Sequence, residues 1–387
     1  MIDANLNARM KKWRQALHQI PEFGFETFDT ADFVVKKLKD FGITDINTKI
    51  GVTGVVATIK CGESNKAIAL RADMDALMIQ EQNSLSYKSS RPGLMHACGH
   101  DGHTSTLLGA AEVLKKRGGF NGIVHLIFQP AEEWGKGAQA MLGDNLLKRF
   151  PFEEIWGFHN MPGLAAGYFE TRPGPIMSAE DNFEIILKGV GGHSSRPQHG
   201  SETLVPACSL VSELQTIVSR KINPNDTAVI SITELISDGT RNALPGKSII
   251  SGDVRTFKED VSKKIQYEME KIANAIAKAH NLKIKFKYSN EFIPLINDLK
   301  LSEKSLEIAS VVFGQNKTSK AKEPMTGSED FARFLNYVPG SYAFIGNGFE
   351  SAPLHNPNYD YNDDILKVGA EYLVAVVRER LLSLIHI

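Results

Sequence analysis

The chain has 387 residues, with Lys+Arg 44 against Asp+Glu 45 and a formal net charge of -1. That balance leaves no basic footprint for nucleic acid or an anionic membrane, so the composition points to a small-molecule substrate. The length exceeds what one hydrophobic core usually serves and predicts two domains, while three scattered cysteines (Cys61, Cys98 and Cys208) exclude a disulfide framework and fit a reducing compartment. Met1 to Asn5 lack the basic-then-apolar layout of a signal peptide and no apolar run approaches a membrane span, so the expected location is the cytoplasm.

In chain order, apolar periodicity predicts helices over 5–19 and 29–41, then β-rich runs at 54–59 and 67–73. A helix over 104–117 leads to the near-continuous apolar run 123–128, the pattern of a strand buried between helix layers. This alternation is α/β with a central mixed sheet. From about Asn182 the order changes to strand 183–188, helix 202–221, strands 227–236 and 248–256, helix 260–280 and strand 283–288. That β-α-β-β-α-β order is the ferredoxin-like signature. After Pro294 the α/β pattern resumes with helix 302–313, strand 343–345 and helix 364–382. The expectation is a larger domain split between 1–181 and 293–387, with a small α+β domain inserted at 182–292.

Met95-His96-Ala97-Cys98-Gly99-His100-Asp101-Gly102-His103 packs a thiol, three imidazoles and a carboxylate into nine residues, and Gln129-Pro130-Ala131-Glu132-Glu133 follows. Such a cluster reads as a metal site. A soft thiolate with imidazoles suits zinc and its neighbours in the transition series, and a set that leaves one position to water is the catalytic arrangement. If the backbone is extended, Cys98 and His100 share a face while the adjacent Glu132 and Glu133 point apart, so that one Glu holds metal and the other handles a proton. Cys98, His100, Glu133 and His159 all fall at or just beyond strand ends, where open α/β sheets place their ligand crevices. The bland rival is a buried Cys beside an ordinary polar loop. His125, inside an apolar strand, reads as a core histidine, and His96 is open between the two roles.

Seven blocks then stand in order: Arg71-Ala72-Asp73-Met74-Asp75-Ala76-Leu77, the 95–101 cluster, 129–133, Phe158-His159-Asn160, Gly191-Gly192-His193-Ser194, Gly327-Ser328-Glu329-Asp330-Phe331 and Leu354-His355-Asn356. Together they resemble the successive motifs of the hippurate hydrolase and N-acyl-amino-acid amidohydrolase branch of the dinuclear metallopeptidases, over nearly the whole chain. The resemblance implies a zinc-peptidase-like catalytic domain with a ferredoxin-like lid and dimerisation domain inserted in it. It implies Cys98, His100, Glu133, His159 and His355 as ligands of two divalent ions (zinc, manganese, cobalt or nickel), with Glu132 as general acid/base. Cys98 would bridge the ions as a thiolate and so be open to oxidation. Asp75, Asp101 and His103 are expected to orient ligands by hydrogen bonds. His193 would reach the partner's active site in a homodimer. Asn242 and Arg255 would grip the substrate's α-carboxylate, unless Arg255 serves a structural ion pair. Ser328 and Glu329 would lie in a loop near the metals, Glu329 being open to reading as a solvated acid. The implied activity is hydrolysis of an N-acyl-L-amino acid; an N-acetyl-diaminopimelate deacetylase, a small dipeptidase or carboxypeptidase, and a non-enzymatic metal-binding redox sensor are the rivals.

Overall fold

The computed structural model describes residues 2–382. In the first part of the larger unit, α1 (Ala4–His18) and α2 (Phe28–Asp40) precede β1 (Asp45–Ile50), β2 (Gly54–Cys61) and β3 (Ala67–Asp73). There follow α3 (His100–Arg117), β4 (Gly122–Gln129), β5 (Glu154–Pro162) and β6 (Phe169–Thr171). The smaller unit holds β7 (Ala179–Lys188), α4 (Leu204–Arg220), β8 (Ala228–Ser237), β9 (Lys247–Thr256), α5 (Glu259–Ala279) and β10 (Lys283–Phe292). The chain then supplies α6 (Leu299–Val312), β11 (Thr318–Lys320), β12 (Gly340–Gly348) and α7 (Leu366–Arg380) to the larger unit.

The larger unit is built on one mixed sheet in the order β1-β2-β4-β3-β5-β12-β6-β11. Its central strands β4, β3, β5 and β12 run parallel, while β2 is antiparallel to both β1 and β4. All seven residues of β3 are buried, as a central strand covered on both faces requires. Helix α3 packs against α1, α7 and β3, and its residues from His100 to Leu114 are buried all round, so it shows no polar face. Because β3, β4 and β5 are parallel, their C-terminal ends lie side by side, and the candidate ligands gather there.

In the smaller unit the four-stranded antiparallel sheet runs β8-β9-β7-β10. Numbered within the unit that is 2-3-1-4, the ferredoxin-like order that β-α-β-β-α-β connectivity predicts. Helices α4 and α5 bury Leu210, Leu214, Ile217, Ile265 and Met269 against Phe183, Ile185, Leu187 and Ile250 of the sheet. As a compact unit it runs from Met177 to Leu295 and takes in Pro324–Glu329. The early boundary has a cause. The first residues of β7 include buried Asp181, held by Ser262, Tyr288 and Asn290, so the apolar alternation that marks the strand in sequence begins only at Phe183. Among the described residues no helix is long and apolar enough to cross a membrane.

Candidate metal centre

Strand β3 delivers Asp73 at its end, and two residues later Asp75 reaches across to the turn after β4. The Asp75 carboxylate accepts the backbone N–H groups of Glu132 and Glu133 at 3.0 and 3.1 Å. Ala131, just before them, adopts a left-handed backbone at φ 52. The turn is therefore not extended, and the two acids do not point apart as strand alternation would have them. Both carboxylates face His100, each 3.9 Å from its Nε2.

A similar correction applies to Cys98 and His100. They converge because Gly99 takes a left-handed backbone at φ 94 and His100 opens α3, which starts four residues before the expected 104. A side chain at 99 would strike Asn160 Oδ1 at 2.3 Å. His100 donates Nδ1–H to the Asp75 carbonyl at 2.8 Å, and His159 donates Nδ1–H to the Asn160 carbonyl at 2.6 Å. A carbonyl only accepts, so Nδ1 carries a proton on both rings and both Nε2 atoms face inward, each able to ligate once it carries none. Cys98 Sγ lies 3.3 Å from His159 Nε2, and His355 Nε2 lies 3.5 Å from Glu133 Oε2. The expected ligands form two triads of ligand atoms, each within 4.8 Å of one another, Cys98, His100 and His159 and Cys98, Glu133 and His355, and His100 also groups with Glu132 and Glu133.

The electrostatics fit divalent cations. Buried His100 Nε2 and Glu133 Oε1 have no hydrogen-bond partner, a costly state unless something else binds them. Burial, with Asp75 and Asp73 nearby, pushes Glu133 up to about 7 against the pull of His100. Burial opposes charge on His100 too, yet Asp73, Asp75 and Glu133 hold it up to about 10. Burial and the charges of Glu133, Glu132 and Asp73 raise the Cys98 thiol well above its ordinary value. Both Glu132 and Glu133 crowd onto the one imidazole of His100.

The remaining expected residues divide. Asp75 positions ligands directly. His103 binds Asp73 Oδ1 at 2.6 Å and Asn160 Oδ1 at 2.8 Å, and its ring packs on His159 at 4.7 Å. Asp101 turns away from the cluster toward His18 and Arg14 of α1. His193 and Asn242 come together in the smaller unit: Ser194 N donates to Asn242 O, and His193 pairs with Ala243, exposed, with Ser195 on its Nδ1. Arg255 is engaged, pairing with Glu180 at 2.7 Å and Asp253 at 2.6 Å and donating to Ser328. Glu329 is buried, not solvated. Sequence reasoning missed Asp73, Arg71 and Asp330, which form one buried network: Arg71 pairs with Asp73 at 2.7 Å and Asp330 at 3.0 Å. Arg71 and Asp73, two apart on one strand, share a face, and that alternation was the available signal.

The sequence family described as peptidase family M20/M25/M40 matches residues 69–379, a span that contains every candidate ligand. The chain belongs to that family. Within it, hippurate hydrolase of Campylobacter jejuni is 38% identical over 369 residues, covering 95% of both chains. An N-acetyl-L-cysteine deacetylase of Bacillus subtilis is 37% identical, covering 96% of this chain and 87% of its own. The solved structure of Bacillus subtilis YXEP, a dinuclear metal-binding peptidase of the M20 family, superimposes with a TM-score of 0.83 at 30% identity, covering 98% of this chain and 99% of that one. The chain is thus a hydrolase of a metal-dependent family, with the family's α/β fold.

Proposed function

We propose that the chain hydrolyses the amide bond of N-acyl-L-amino acids, releasing a carboxylic acid and the free amino acid, with two divalent ions held by Cys98, His100, Glu133, His159 and His355. The observation that carries this reading is the pair of buried imidazoles, His100 and His159, each spending Nδ1 on a carbonyl and turning Nε2 into a pocket of carboxylates and a thiol. Zinc, manganese, cobalt or nickel suits that donor set, and when bound such ions supply Lewis acidity toward the scissile carbonyl and make water more acidic. Glu132 is buried, its backbone N–H held by Asp75 and its carboxylate 3.9 Å from His100 Nε2. In the reaction it takes a proton from the attacking water and returns it to the departing amine nitrogen. The smaller unit serves as lid and homodimer contact, with His193 offered to the twin's carbonyl oxygen. Asn242 and Arg255 hold the substrate α-carboxylate, Arg255 exchanging one of its present carboxylate partners for it.

A redox-sensing role fits less well. A reactive thiol needs thiolate character at neutral pH, and burial with surrounding carboxylates denies it to Cys98. Within the enzyme class, the likeness to hippurate hydrolase favours an aromatic or other bulky acyl group, and that to N-acetyl-L-cysteine deacetylase favours acetyl. Screening the metal-reconstituted protein against benzoyl-, acetyl- and longer acyl-amino acids, N-acetyl-diaminopimelate and dipeptides decides among them. Turnover of dipeptides alone would remove the acyl-amino-acid reading.

A further inference from the structure

Helix α1 belongs to none of the candidate ligand segments, yet it buries an arginine and a histidine on one face. Arg14 and His18, four residues apart and so neighbours along the helix, are both 0% exposed. His18 Nδ1 lies 2.8 Å from Asp101, the residue after His100, and its Nε2 lies 3.3 Å from Glu81. Arg14 donates Nε–H to Asp363 and Nη1–H to Asp360, both at 2.7 Å, and Nη1 stands 3.8 Å from Asp101. Asp360 and Asp363 follow His355 in the chain. One helix face therefore grips both the turn that carries Cys98 and His100 and the segment that carries His355.

His355 sits in a left-handed backbone at φ 63, a conformation a residue with a side chain keeps only where its surroundings over-determine it. Its N–H donates to Ala97 O at 2.8 Å, so the two ligand loops touch at the metal end as well. Tyr87 closes the far side, its ring 4.5 Å from the Arg14 guanidinium and its hydroxyl donating to Asp360 at 2.7 Å. A buried guanidinium whose carboxylates move away is left uncompensated, which makes the arrangement close to all-or-none.

We infer that Arg14 and His18 are positioning residues, holding the Cys98–His100 turn and the His355 segment in register so that the Cys98–Glu133–His355 triad is formed before metal arrives. This rests on the metal reading above. It is an action through Asp101, Asp360 and Asp363, at a distance from any reacting atom.

The test uses the full chain as apo-protein and as the Co²⁺ form, in wild type, His18→Gln, Arg14→Gln and Arg14→Lys. Titration calorimetry gives the two metal affinities, and the thiolate-to-Co²⁺ charge-transfer band reports how Cys98 meets the ion. Wild type should bind two ions and show the band, and Cys98→Ser should lose it. If wild type binds no metal, the dinuclear reading itself is wrong. With that control in place, His18→Gln and Arg14→Gln should weaken at least one metal affinity by ~10–100-fold, the usual cost of removing a partner that orients ligands. The band should shift, and at saturating metal kcat should fall more than KM changes. Arg14→Lys should regain thermal stability without regaining the affinity, because one ammonium does not span both carboxylates as the guanidinium fork does. Unchanged affinities and band, with only a lower Tm, would make the clamp a structural feature and overturn the inference. Should the glutamine variants fail to fold, Asp363→Asn removes one arm of Arg14 and must meet the same criterion.

Discussion

Glu132 and Glu133 differ by one position and by what their carboxylates meet. Both face His100, but only Glu133 also stands with Cys98 and His355. Glu132→Gln should therefore keep its metal content near wild type and lose ~10²–10⁴ in kcat, the usual worth of a general base, whereas Glu133→Gln should lose metal. Metal analysis of the two purified variants decides; equal loss in both would overturn the assignment. Protons decide a second matter. In the metal-free protein Cys98 is held neutral, and His100 stays protonated up to about 10. Both must shed a proton to become ligands, so metal affinity rises with pH, by at least ~10-fold per unit around neutrality. Calorimetry in buffers of different ionisation enthalpy reads the released protons directly, and an affinity flat in pH would contradict it. The same neutral thiol means that peroxide should attack the metal-free protein slowly. For Arg255, replacement by Ala should erase most of the preference for a free α-carboxylate over its amide, roughly 2–5 kcal/mol in kcat/KM for a desolvated cation left unpaired. If the variant discriminates as well as wild type, its pairs with Glu180 and Asp253 are its whole role.

At the scale of elements, α1 carries a pH dependence. Burial disfavours the His18 imidazolium, but hydrogen bonds to Asp101 and Glu81 and the Asp101 charge outweigh both it and Arg14, holding the pKa up to about 9 from 6.5. A group raised in the folded state contributes stability that is complete below the unfolded value and disappears as pH climbs through the folded one. Stability should thus decline between 6.5 and about 9, by up to about 3 kcal/mol at 1.36 kcal/mol per unit. Thermal melts across that window should show the decline in wild type and a flatter profile in His18→Gln; parallel profiles would remove His18 as the cause. None of this was legible in the sequence, where Arg14 and His18 look like two polar positions on an ordinary amphipathic helix and only tertiary structure supplies their carboxylates. The long elements were legible because their apolar patterns are long: β4 and α5 stand close to their predicted spans. Three-residue β6 and β11 carry too little pattern to find. The convergence of Glu132 with Glu133 was hidden for a different reason, since it depends on a left-handed Ala131 that no propensity signals.

For the molecule as a whole, the switch in element order near Asn182 marks the smaller unit in the sequence, and its surface bears on assembly. Edge strand β8 exposes Val229, Leu235 and Ile236, and α4 beside it exposes Leu204 and Val205. The dimer proposal predicts that these side chains, along a sheet edge with no partner strand among the described residues, meet a second copy related by two-fold symmetry. His193 lies in the same unit, which is why the proposal has it serve the twin's site. Mixing decides between twin and own chain. His193→Ala and Glu132→Gln should each be nearly inactive alone. Refolded together in equal amounts, half the dimers are mixed, and each mixed dimer has one site whose own chain keeps Glu132 and whose partner keeps His193, so about a quarter of wild-type sites should return. If His193 acted within its own chain, every site in a mixed dimer would lack one of the two residues. No recovery of activity, with heterodimers demonstrated by mass spectrometry of differently tagged chains, would therefore assign His193 to its own chain or to no catalytic role.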